Sequence, residues 1–231
     1  MLKLIVNKPY VCQYCNSKYT QEKTLFVHMC EQKRRNLAKD EKHVSIGYQA
    51  YNKFFRLTQK SDKDKTYTEF AQSPYYNAFV KFGSFVSNVN PLYPEKFIDY
   101  VVRSGVKLDH WCRDELYEKY VINLIHTESV ETALERSLLH MQSWANDNNS
   151  LWNHYFKYVS TNRAVYDIKD GKVSPWLVLN SPSGKEMLAS FRDDQLSAVG
   201  SIIDPVVWMK IFKKKTFDVE LVKQVVKEAS L

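Results

Sequence analysis

Glycine and proline are scarce in this chain, six and seven among 231 residues. So few turn formers argue against a turn-rich β architecture and for helices. Long apolar runs are missing too. None approaches the roughly 18 residues that a membrane-spanning helix needs, so no membrane association is expected. The short apolar patch near the start, MLKLIVNKPY, is too brief for the hydrophobic region of a secretory signal. The P-loop, GxGxxG, GxSxG and HExxH patterns are all missing. Cysteine is nearly confined to one place: Cys12, Cys15 and Cys30 stand in the first 30 residues, and Cys112 is alone. In a reducing cytosol that distribution suits metal binding better than a disulfide framework.

What the chain does hold is enough apolar material for a core, 44% hydrophobic and 14% aromatic, and a net charge of +7. The charge is uneven. Residues 1–65 carry 14 Lys or Arg against 6 Asp or Glu, and the remainder is nearly balanced, with 19 basic and 20 acidic residues. A positive surplus gathered in one quarter of the chain is what a polyanion-binding surface requires. The same surplus also arises in an ordinary solvated face of lysines.

The stretch YVCQYCNSKYTQEKTLFVHMC, residues 10–30, concentrates the chemistry. LIV, YVC and KYT read as a short hairpin over residues 4–19, turning at Gln13, Tyr14, Cys15 and Asn16. Thr20 stands as a candidate N-cap of a helix that runs from about Gln21 through KTLFVHMCEQKRRNLAKDEK. Cys12-x2-Cys15 is a knuckle that directs two sulfurs at one centre, and His28 follows after twelve intervening residues. Tyr10 precedes Cys12 by two positions, Tyr19 follows Cys15 by four, and Leu25 precedes His28 by three.

From Tyr10 to His28 this pattern resembles the C2H2 zinc-finger family. The resemblance implies a ββα module ordered by zinc. The family places its fourth ligand about one helical turn after the first histidine, where this chain has Gln32, Lys33 and Arg34. Cys30 is the nearest candidate and gives a Cys12, Cys15, His28, Cys30 site. Residues two apart on an ideal helix point about 200° from each other. Cys30 therefore requires the helix to break near Met29; otherwise His43 or a water completes the shell. The family's base-reading positions fall on Gln21, Thr24 and Val27, a poor set for reading bases. Phosphate contact irrespective of sequence is the better expectation, through Lys23, Lys33, Arg34, Arg35, Lys39 and Lys42, with Gln21 a candidate base contact and Lys53 and Arg56 extending the basic run. Tyr48, Tyr51, Phe54 and Phe55 could stack on unpaired bases, but their helical spacing favours the core.

Beyond HVSIGYQAYNKFFRL and the polar TQKSDKDKTYT, the chain reads as short amphipathic helices with tight loops. Pro94 begins one that closes on Gly105, Asp109 is a candidate cap for the next, and Ser129 for another. The expected class is mainly α: a small N-terminal ββα zinc-finger-like module followed by an all-α helical domain. The expected divisions are a module with a basic helix over 1–40, a helix and charged linker over 41–65, and an all-α domain over 66–231. Phrases of the body resemble in style uncharacterised proteins of large tailed phages. No catalytic set is expected: His110 and Cys112 are two apart on a helical stretch and diverge. The expected function is a non-catalytic, zinc-dependent nucleic-acid-binding accessory of viral origin, in the host cytoplasm or the virion. The alternatives are an assembly protein that docks on another protein through the finger, and a nuclease whose carboxylates gather only in the fold.

Overall fold

The computed structural model describes residues 9–231, so the expected strand at Leu4, Ile5 and Val6 lies outside the described residues. The chain is mainly α-helical, with one small hairpin at the front. Strands β1 (Tyr10–Val11) and β2 (Lys18–Tyr19) pair antiparallel, with Tyr10 opposite Tyr19. Helices α1 (Glu22–Val27), α2 (Glu31–Leu37), α3 (Lys42–Gln59), α4 (Tyr67–Gln72), α5 (Tyr76–Val89) and α6 (Pro94–Arg103) follow. After them come α7 (Asp114–Thr127), α8 (Val130–Asn148), α9 (Tyr155–Tyr158), α10 (Thr161–Lys169) and α11 (Pro175–Val178). The chain ends on α12 (Pro182–Ala189), α13 (Asp193–Ile203), α14 (Pro205–Lys214) and α15 (Thr216–Ala229). No helix among the described residues is long and apolar enough to cross a membrane.

Short polar side chains start many of these helices. Thr66 and Glu69 form a reciprocal capping box on α4. Ser129, Ser160, Ser174, Ser181 and Asp204 each accept an orphan amide at a helix start. Pro94 opens α6 as expected, and Gly105 follows that helix at φ 71°. Two expected caps are not formed. The N-cap of α1 is Gln21, with no side-chain bond, rather than Thr20. Asp109 lies in a 3-10 turn over Leu108–His110, and α7 starts only at Asp114.

The chain forms two compact units, Met1–Arg113 and Asp114–Leu231. The first is built on α3 lying against α5. These helices approach so closely that a Cβ on Gly47 would meet the Phe79 carbonyl at 2.6 Å, and one on Gly83 the His43 carbonyl at 1.9 Å. Tyr51, Phe54, Phe70, Phe79 and Trp111 form a ring-on-ring core around that crossing. Tyr48, Tyr51 and Phe54 of α3 thus pack on rings from other segments, as their spacing indicates, while half-buried Phe55 lies against Tyr51 and Phe54 of its own helix. The charged stretch after α3 is fastened to that helix rather than free. Asn52 accepts the Lys65 amide at 2.7 Å, the Tyr48 hydroxyl donates to the Lys65 carbonyl, and Arg56 grips Asp64 with two bonds.

In the second unit α8 packs against α9, α11 and α15, while α10 packs on α13 and Trp176, Trp208 and Phe212 cluster in the core. Asp167 is completely buried. Its Oδ2 accepts from the Tyr155 hydroxyl at 2.8 Å and Arg163 Nε at 2.9 Å, and lies 2.8 Å from His140 Nε2. Burial pushes the Asp167 carboxyl pKa up, but the bonds from His140, Arg163 and Tyr155 outweigh it and hold the pKa below its ordinary value.

Two outcomes are expected. Gly83→Ala should destabilise the first unit by about 1–3 kcal/mol or more, because backbone rather than a flexible side chain stands in the way; urea denaturation measures it. Asp167→Ala should cost the second unit about 3 kcal/mol. Because the folded-state pKa of Asp167 is depressed, its contribution is present above the unfolded carboxylate value and fades as pH falls below about 4. The variant's stability should accordingly vary less with pH than that of the parent in this range.

Candidate metal centre

The hairpin turn sets the first two ligands. The Cys12 amide bonds the Ser17 carbonyl at 2.9 Å, and the Asn16 amide bonds the Cys12 carbonyl at 2.9 Å. Asn16 takes φ 57°, a left-handed conformation that asparagine tolerates better than most residues. This tight loop places Cys12 and Cys15 on one side of the hairpin. Cys12 is 3% exposed, and the other donors are partly covered.

The expected single helix from Gln21 to Lys42 is not formed. It is interrupted at residues 28–30. α1 ends at Val27, His28 takes ψ 124° and Cys30 takes ψ 164°, and α2 begins at Glu31. In extended backbone, residues two apart point to the same side. The break therefore turns His28 and Cys30 from opposed side chains into neighbours, which removes the need for His43. His43 instead faces Glu41, 3.4 Å away. Cys30 gains a second role: as the N-cap of α2, its sulfur accepts the Lys33 amide at 3.4 Å.

The four donor atoms of Cys12, Cys15, His28 and Cys30 lie within 4.8 Å of one another, a group that could hold a metal ion. Cys12 Sγ is 4.0 Å from Cys30 Sγ, and Cys15 Sγ is 3.3 Å from His28 Nε2. Four such ligands at tetrahedral zinc distances stand about 3.8 Å apart sulfur to sulfur and about 3.6 Å sulfur to nitrogen. The set fits a tetrahedral ion with little rearrangement. The Cys15 thiol pKa is lowered to about 6, first by the Ser17 hydroxyl 3.1 Å away, then by the Ser17 backbone and His28. Burial pushes the Cys30 thiol up.

Sequence reading missed the residue behind the histidine. The Tyr19 hydroxyl is 2.8 Å from His28 Nδ1, which leaves Nε2 facing the sulfurs. A hydrogen bond on the far nitrogen fixes the ring and its tautomer at metal sites. The tyrosine was visible as a position of the zinc-finger-like pattern, four residues after Cys15, but its hydroxyl had no counterpart to suggest this task.

The basic candidates divide. Lys23, Arg34, Lys39 and Lys42 are exposed, as is Gln21, and none of the four forms an ion pair among the described residues. Lys39 stands 5.6 Å over the Tyr67 ring, and Lys33 Nζ lies 3.2 Å from the His28 carbonyl, beside the centre. Arg35 departs from the expected surface set. Its side chain is only 13% exposed, and its guanidinium pairs with Glu31, donates to the Ala71 and Ser73 carbonyls, and lies 4.4 Å over the Tyr76 ring. With those donors occupied, Arg35 fastens α2 to the helical core. Tyr67 completes the joint by donating to the Arg35 carbonyl at 2.5 Å. Farther on, Lys53 is paired with Asp99 and Arg56 with Asp64. Burial pushes the Cys112 thiol up, the direction opposite to an activated nucleophile. Comparison with known protein families, curated proteins and solved structures finds no match.

Cys12→Ser should abolish stoichiometric metal uptake and unfold the hairpin and α1 while α3–α6 stay helical, as read by metal analysis and limited proteolysis. Tyr19→Phe should keep the metal stoichiometry and lower affinity about 10- to 100-fold in a chelator competition.

Proposed function

We propose that the chain is a non-catalytic, zinc-dependent nucleic-acid-binding accessory protein. Cys12, Cys15, His28 and Cys30 hold one zinc ion, which orders a module too small to fold on its own core. Three sulfurs and one imidazole nitrogen at tetrahedral separations suit zinc, whereas calcium and magnesium demand oxygen ligands. The four side chains form a closed set with no position reserved for substrate, so the ion's role is structural. A part in viral replication, recombination or transcription belongs to the same proposal and rests on the stylistic resemblance alone.

One observation carries the nucleic-acid reading. Lys23 on α1 and Arg34 on α2, the helices adjoining the donor cluster, remain exposed, as do Lys39 and Lys42 farther along the chain, and none of them has a carboxylate partner among the described residues. Such cations neutralise phosphates without reading sequence. Arg35 is left out of this set because its guanidinium is committed internally. A protein-docking role is the second reading, favoured by Tyr10, Val11 and Met29, which stand exposed on the same module.

Salt separates the two readings. Four phosphate contacts give a slope of log K on log salt of about −3 to −4, so raising salt from about 50 to 200 mM should weaken binding roughly 50- to 150-fold. Fluorescence anisotropy of the zinc-loaded protein with labelled DNA and RNA oligonucleotides measures it. Affinity too weak to detect at low salt, or unaffected by salt, would defeat the nucleic-acid reading.

A further inference from the structure

The last turn of α1 leaves two large apolar side chains in water, after a first turn that is polar. Phe26 is 82% exposed and Val27 68% exposed, while Leu25 is half-buried. An aromatic ring so open to water gains nothing from the fold. It lies one helical turn from exposed Lys23 on the same face, because residues three apart on a helix are neighbours. At the other end of the helix, the ammonium of Lys33 lies 3.2 Å from the carbonyl of His28, the residue after Val27. The Phe26–Val27 stretch thus has one ammonium towards each end along the chain, with the exposed carboxylate of Glu22 also on the first turn of α1.

We infer that this stretch is a stacking platform for single-stranded nucleic acid, with a base lying on Phe26 and the flanking phosphates on Lys23 and Lys33. The inference rests on the nucleic-acid reading above and adds the strand preference. An aromatic ring flanked by positive charge matches the chemistry of an unpaired nucleotide: a flat apolar face between two anions. A paired duplex offers the ring nothing comparable, since its bases are already stacked and opening a step is costly. Nor does α1 suit the major groove, where Val27 would occupy a reading position without a hydrogen-bonding group. A protein partner would also accept an apolar face. The two ammonium groups favour the polyanion.

The test uses full-length, zinc-loaded protein, a labelled thymidine oligonucleotide and a duplex of equal length. The single strand should bind about tenfold more tightly than the duplex. Phe26→Ala should erase that margin, a loss of about tenfold or about 1.4 kcal/mol, while leaving duplex affinity, salt dependence and zinc content unchanged. Phe26→Trp should keep the affinity, and the indole fluorescence it adds over the parent should be quenched as oligonucleotide is added. Equal affinity for the two polymers, or a Phe26→Ala variant that still prefers the single strand, overturns the platform and leaves salt-dependent phosphate binding standing. A Phe26→Trp variant that still binds while its added indole stays unquenched overturns it as well. Failure of the parent protein to bind either polymer removes the underlying reading together with the platform.

Discussion

The candidate site depends on a three-residue break between two helices, in which His28 and Cys30 take extended backbone. If the helix begun at Glu22 continued past Val27, His28 and Cys30 would point away from each other and the four donors would not converge. The interruption at residues 28–30 turns both side chains to the same side. It also creates a new helix start, which Cys30 caps with its own sulfur. One local change of conformation thus serves both ligation and the restart of the helix.

That restart governs the electrostatics downstream. Because α2 begins at Glu31, Arg35 falls one turn later on the side facing α4, where it reaches the Ala71 and Ser73 carbonyls and the Tyr76 ring. Arg34, its neighbour in sequence, is left in solvent. Two adjacent arginines with the same chemistry therefore do different work. One carries the joint between the hairpin module and the helical core of its unit, and the other contributes to the outward positive surface. The charged stretch after α3 is likewise structural, tied down through Asn52, Tyr48 and Arg56.

Much of the architecture could be read along the chain. The helical class follows from the shortage of turn formers and from apolar stripes, and Ser129, Pro94 and Gly105 mark boundaries where expected. The knuckle at Cys12 and Cys15 and the distance to His28 brought the donor set into view, because ligand spacing is a local property. Other features were hidden. Thr20 and Asp109 have the right side chains for caps, but the backbone turns at other residues. Tyr19 serves His28 through a hydroxyl whose partner is fixed only when the hairpin folds back on α1. Asp167 has an ordinary sequence context, and its burial among Tyr155, Arg163 and His140 needs helices α8, α9 and α10 brought together.

By itself the sequence determined the mainly helical class, Cys12, Cys15 and His28 as candidate donors with Cys30 the nearest fourth, and the placement of surplus positive charge in the first quarter. Composition and short spacings suffice for these. The tertiary structure decided which donors could meet, which of the basic residues remained in water, and which of the aromatics stood outside the core. Tyr48 and Phe26 are equally aromatic on paper; packing covers one against Tyr67 and Phe70 and leaves the other almost fully open. Exposure and side-chain partnership depend on where distant segments come to rest, and a list of residues does not contain that information.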